Sequence, residues 1–161
     1  FMLVAASNPC PCGNGPDSGE CDCHPGAVTR YMAKLSGALA DRIDITMTVD
    51  PPPAEELTSD DVEGSAAVRE RVLRARRIQE ERLGDGRTNA EMTPSEVRRH
   101  CELDRAGTAT LENGHRQLGL SARGWDRCLR LARTIADLAG EERIAVLHVQ
   151  EALDKRRRGD P

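Results

Sequence analysis

From Ser65 onward the apolar residues recur every three or four positions, a period that fits α-helix and no other regular element. Val68, Val72 and Ala75 begin the pattern, with Ser65 placed to cap it. Thr93-Pro94-Ser95-Glu96 is a capping box with proline at the first helical position, which predicts a helix start there. A turn near Leu103-Asp104 opens a further helix that Gly119 terminates near Leu118. Ser121 caps the next, with Trp125, Leu129, Ala132, Ile135 and Ala136 on one face and Arg123, Arg127 and Arg130 on the opposite one. Gly140 stops it, and a last helix is expected over roughly 145–157. Aromatic residues make up only 2% of the chain, so the core of this bundle of four or five helices must be built from Leu, Ile, Val and Ala.

The first fifty residues read differently. Residues 1–7 form a continuous apolar run that predicts a buried strand. Residues 8–26 are dense in Pro, Gly, Asn, Asp and Cys, which predicts a loop. A short helix is expected around 26–40, and Ile43, Ile45, Met47 and Val49 then alternate with polar residues as a strand would. Pro51-Pro52-Pro53 ends that run, because proline has no N–H for a ladder. The organisation expected is therefore 1–53 as one part, 54–64 as an acidic linker and 65–161 as a helical domain. A chain opening on an apolar run without Met reads as a piece cut from a longer cytoplasmic protein.

The formal charge of −4 argues against a surface basic all over, yet the charges are unevenly placed. Residues 55–63 carry five acids and no base, whereas 69–82 carry six Arg against three Glu. A basic stripe of that kind is usually a solvated face, and it can also follow a phosphate backbone. No run approaches the ~18 apolar residues of a membrane span, so no membrane partner is expected.

Cys10-Pro11-Cys12-Gly13 and Cys21-Asp22-Cys23-His24 lie in the most turn-rich segment. Residues i and i+2 of an extended backbone project to one side, so each Cys-x-Cys pair can offer two thiolates to one ion. Two such pairs suit tetrahedral Zn²⁺, and the loop has too little apolar surface to order itself by burial. Free thiols, disulfides, and a loop in which only the glycines matter are the competing readings, disulfides being disfavoured in a reducing compartment. Cys101 and Cys128 fall within helical patterns and read as small core residues.

Three separated segments resemble one family. Phe1-Met2-Leu3-Val4-Ala5-Ala6-Ser7-Asn8-Pro9-Cys10-Pro11-Cys12-Gly13 is similar to the core strand of magnesium-chelatase-like AAA+ proteins, the ComM-like branch in particular. Arg30-Tyr31 followed by Lys34-Leu35-Ser36-Gly37-Ala38-Leu39-Ala40-Asp41-Arg42-Ile43-Asp44 resembles a second segment of that family, with Ala38 and Ala40 where Pro and Leu are usual. Leu120-Ser121-Ala122-Arg123 with Arg127 to Leu138 resembles its sensor-2 helix, and His148 to Leu153 its closing helix. The resemblance implies a mainly α fold: the helical lid of an AAA+ module preceded by the last strands of its α/β core. It implies that Asn8 is the sensor-1 residue, Arg42 an arginine finger and Arg123 the nucleotide-binding sensor-2 arginine. It also implies ATP and Mg²⁺ as cofactors of the full-length protein, a homo-oligomeric ring (a hexamer), and a DNA branch-migration helicase active in natural transformation. A porphyrin metal-chelatase motor, or a non-enzymatic helical domain that binds DNA or protein, are the alternatives.

These residue types suit phosphoryl transfer, which needs an oriented water and cations where charge spreads over the γ-phosphate. Asn8 can hydrogen-bond there without adding charge, while arginine offers a permanently charged planar fork for phosphate oxygens. The chain contains nothing like the G-x-x-x-x-G-K-[ST] phosphate cradle. By itself it is expected not to hydrolyse ATP.

Overall fold

A computed structural model describes residues 2–15, 18–34, 42–53 and 63–156. Within them the regular structure is helical: α1 (Pro25–Ala33), α2 (Ser65–Leu83), a single 3-10 turn (Asn89–Glu91), α3 (Pro94–His100), α4 (Arg105–Leu118), α5 (Ala122–Ala139) and α6 (Val146–Asp154). The chain divides into two compact units, one running to Ile43 and the other from Asp44 to Arg158.

The second unit is built around α5, which packs against α2, the 3-10 turn, α3 and α6, while α4 packs against α6. Its core is aliphatic, as the scarcity of aromatics requires: Met92, Val97, Leu111, Ala132, Ala136, Ile144, Val149, Ala152 and Leu153 are buried together with Cys101 and Cys128. The helix ends follow the local chemistry of the sequence. Thr93 and Glu96 close the capping box of α3, Asp104 accepts the Gly107 N–H at the start of α4, and Ser121 accepts the Gly124 N–H at the start of α5. Gly119 and Gly140 end α4 and α5 in the left-handed conformation, which a residue without Cβ adopts at low cost.

Ser65 differs from its expected role. Gly64 is the N-cap of α2, and no side chain caps that end. Val68 and Val72 share the helical stripe of Ala75 and Gln79 but are 37% and 43% exposed, because the first ten residues of α2, about 15 Å of helix, contribute nothing to the buried core.

A buried polar cluster lies beneath the C-terminal half of α2. Asp137 receives a forked pair of hydrogen bonds from Arg82 at 2.6 and 2.8 Å and a third from Arg133 Nε at 3.1 Å. Asn89 adds a bond to the same carboxylate at 2.7 Å and donates to Thr134. Arg133 then reaches the carbonyls of Glu141 and Glu142. A carboxylate with no exposed side-chain surface is held here only because every lone pair has a donor.

In the first unit α1 ends at Ala33 with Lys34 as its C-cap, and residues 35–40 of the expected helix lie outside the described residues. Neither expected strand forms among the described residues. Met2–Ser7 is irregular, with Met2 and Val4 86% and 85% exposed, and the segment from Ile43 to Val49 is irregular too. A strand exists only as a rung of a ladder, and no partner strand is present among the described residues. From Asp44 onward that segment belongs to the second unit, within which Arg127 pairs with Asp44 at 3.1 Å and the Thr46 N–H donates to the Lys155 carbonyl at 2.8 Å. Phe1, most of the acidic stretch (54–62) and residues 157–161 lie outside the described residues. No helix is long and apolar enough to cross a membrane among the described residues.

Candidate metal centre and nucleotide-site residues

Turn chemistry brings the four cysteines together. The Gly13 N–H donates to the Cys10 carbonyl at 3.1 Å, closing a tight turn that places Cys12 beside Cys10. Gly13 sits at φ +96, a conformation open to glycine and strained for other residues. The Gly15 N–H donates to Cys10 Sγ at 3.3 Å. On the far side of the loop, the His24 imidazole caps α1 by accepting the Gly26 N–H, and Pro25 opens the helix. That fixes where Cys21 and Cys23 arrive.

The four sulfurs all lie within 4.8 Å of one another. Cys10 to Cys12 is 3.2 Å, Cys10 to Cys21 is 3.7 Å and Cys12 to Cys21 is 3.6 Å. Zinc–sulfur bonds of about 2.3 Å in a regular tetrahedron set sulfurs about 3.8 Å apart. The loop therefore fits the donor set and the size of a four-thiolate site.

The electrostatics of the loop are uneven. Burial pushes the Cys10 thiol up, but hydrogen bonds from Cys12, from the Gly15 and Gly13 N–H groups and from Cys21 outweigh it and bring it down to about 6. Cys23 moves the other way: a backbone hydrogen bond from Cys12 favours its thiolate, yet desolvation and the three neighbouring sulfurs push it up to about 12. Cys21 is also raised, the backbone bond from Cys23 being outweighed by desolvation and by Cys12 and Cys10. Several sulfurs this close cannot all carry charge without a cation among them.

Asn8 lies on the same loop. A Cβ built on Gly13 would stand 3.4 Å from Asn8 Nδ2 and 3.9 Å from its Cγ. Arg42 belongs to the same unit and is exposed. Arg123 belongs to the other unit, in the first turn of α5, where it borders an open depression of about 470 Å³ with Ala122, Trp125, Asp126, Arg127 and Arg130. Arg127 is engaged with Asp44, so the arginine stripe of α5 is not uniformly solvated. Cys101 and Cys128 are 4% and 1% exposed, and burial pushes both thiols up to about 11, as befits inert core residues.

Sequence reasoning missed the cluster around Asp137. Its one visible sign was the Arg133/Asp137 pair at i,i+4 spacing, which is common on exposed helices. Arg82 and Asn89 come from 55 and 48 residues away, and no local pattern announces them.

Residues 62–156 match the family described as magnesium chelatase, subunit ChlI C-terminal, and residues 1–57 match magnesium chelatase, subunit ChlI. The chain belongs to the magnesium-chelatase family. Among relatives in this family, the competence protein ComM of Haemophilus influenzae is 42% identical over 97% of this chain and 30% of its own length. The uncharacterized protein YifB of Escherichia coli is 39% identical over 97% of this chain and 31% of its own length. An uncharacterized protein of Mycobacterium bovis is 37% identical over 99% of this chain and 32% of its own length. The chain thus spans about a third of the length of the magnesium-chelatase-family relatives it matches.

Proposed function

We propose that this chain contributes to a Mg²⁺- and ATP-dependent ring motor of the ComM-like kind, built as a homo-oligomer and working on DNA in the cytoplasm. The observation that carries the reading is the 42% identity to the competence protein ComM over 97% of the chain, which includes all three sequence segments. In this reading residues 1–53 end an α/β core, 54–64 link it, and 65–161 form the helical lid. Asn8 orients the attacking water or a phosphate oxygen without adding charge. Arg42, an arginine finger, offers a permanent cation to a neighbouring subunit's nucleotide, so hydrolysis depends on assembly. Arg123 contacts the nucleotide from the lid. The motif that would cradle the phosphates is not found in these residues, so Mg²⁺ is assigned no ligand from them.

DNA fits the charge pattern better than a porphyrin does. Arg69, Arg74, Arg76 and Arg77 all stand on exposed parts of α2, a helix whose N-terminal half extends past the buried core. Phosphate contacts of that kind make binding weaken steeply with salt. The four cysteines hold one structural Zn²⁺, supported by their mutual spacing, and the ion supplies the order that apolar burial does not.

The test is ATP turnover and DNA binding by the full-length protein. Arg42→Ala should lower kcat about 10³-fold, and Asn8→Ala and Arg123→Ala should lower it with the ring still assembled. Replacing Arg74, Arg76 and Arg77 by alanine should weaken DNA binding and flatten its salt dependence. Undiminished turnover in Arg42→Ala would remove the arginine-finger assignment. ATP-driven metal insertion into a porphyrin, with no DNA effect, would replace the helicase reading by that of a chelatase motor.

A further inference from the structure

Among the described residues, the contacts to Asn8 and Pro9 come from the cysteine loop. Every residue from Met2 to Pro9 is exposed, so no apolar packing fixes the backbone ahead of the cysteine loop among the described residues. What surrounds Asn8 and Pro9 is the loop itself. Gly13 lies against the Asn8 amide, with a virtual Cβ 3.4 Å from Nδ2. Gly15, which is buried, lies against Pro9, with a virtual Cβ 3.3 Å from the proline Cγ. Both glycines have positive φ, +96 and +85, and both donate backbone N–H groups back to Cys10, Gly13 to its carbonyl and Gly15 to its sulfur. Cys10 itself is fully buried and two residues from Asn8. The loop therefore folds back on the Asn8-Pro9 peptide with Cys10 as its pivot.

We infer that the cysteine tetrad is a positioning device for Asn8: a divalent metal ion bound by Cys10, Cys12, Cys21 and Cys23 locks the Cys10–Gly15 turn, and the locked turn holds the Asn8 side-chain amide against Gly13. The inference rests on the metal reading above and adds a consequence to it. The physical argument is one of order. A turn closed by one backbone hydrogen bond and one N–H to sulfur bond opens readily, since each bond contributes only about 1 kcal/mol net. Joining Cys10 and Cys12 to Cys21 and Cys23 closes the intervening loop and removes most of those open states. The Asn8 amide gains its orientation from that constraint. Cys10 and Gly13 are thus positioning residues, while Asn8 remains the group presented.

The experiment uses the isotope-labelled chain with Zn²⁺ as the probe and two simultaneous readouts: bound zinc by elemental analysis, and the Asn8 side-chain amide by NMR, assigned from Asn8→Asp. With one zinc bound, a through-space contact between the Asn8 amide protons and Gly13 Hα is expected. It should be lost on chelation and return on adding zinc back, while the Trp125 indole signal of the other unit stays unmoved. Cys12→Ser/Cys23→Ser should reproduce the chelated state without a chelator. One zinc per chain, with an Asn8–Gly13 contact that is absent or indifferent to chelation, would overturn the positioning role and leave the metal site standing. No bound zinc, with the contact intact, would overturn the metal reading and the metal's hold on Asn8 together.

Discussion

Asp137 shows how a single residue can matter to the fold without touching the chemistry. Its side chain has no exposed surface, and two arginines and an asparagine from three places in the sequence converge on it. Removing the carboxylate leaves Arg133, itself 3% exposed, as a buried charge facing Arg82. Breaking a buried pair from one side costs about 3–5 kcal/mol. Asp137→Ala should therefore lower the unfolding free energy of the helical unit by about that amount, read from urea denaturation, with the zinc content of the chain unchanged. The cysteines make the opposite case. Their pairing in Cys-x-Cys units was legible from spacing, because two thiolates two residues apart is a local property. Asp137 was not legible, because its partners are decided by how α2 crosses α5.

At the scale of elements, helix ends were the most readable feature. Thr93, Asp104 and Ser121 all accept the backbone N–H three residues on, a bond that depends on nothing beyond the first turn. Glu96 extends this to long range: hydrogen bonds from Arg87 come first, then those from the Thr93 N–H and hydroxyl, and together they hold its carboxyl well below the usual 4.5. Because the folded value is depressed, its contribution is complete above pH 4.5 and fades as the pH falls through the folded value. Acid unfolding followed by circular dichroism should show less loss of stability below pH 4.5 in Glu96→Gln than in the wild type, with the variant less stable at neutral pH. Strands were the least readable element. Residues 1–7 and 43–49 carry strand patterns, but pattern supplies only one side of a ladder. A different close approach explains Gly114, where a Cβ would lie 2.5 Å from the Leu153 methyl carbons, so α4 and α6 meet over a missing side chain.

For the whole molecule, the division into two units predicts independent responses. The first contains the cysteine loop and little buried apolar surface among its described residues; the second contains the aliphatic core. Chelation of the proposed metal should increase hydrogen exchange across residues 10–23 and leave the thermal transition of the helical unit unmoved. A lowered transition for the helices on chelation would mean that the metal supports both units. Acidification should mimic chelation, since protons compete with the ion for each thiolate.

The sequence by itself determined the helical class of residues 65–156, most of the helix ends, the aliphatic nature of the core and the set of cysteines that come together. Those follow from periodicity, capping and spacing, all of which act over a few residues. Only the tertiary structure decided that the first half of α2 stands clear of the core, that Asp137 is held by Arg82 and Arg133, and that Asp44 faces Arg127. It also set the Asn8 amide against Gly13. Each of these depends on which surfaces meet after the helices and turns have formed, and burial and ion pairing between distant residues leave no periodic trace in the chain.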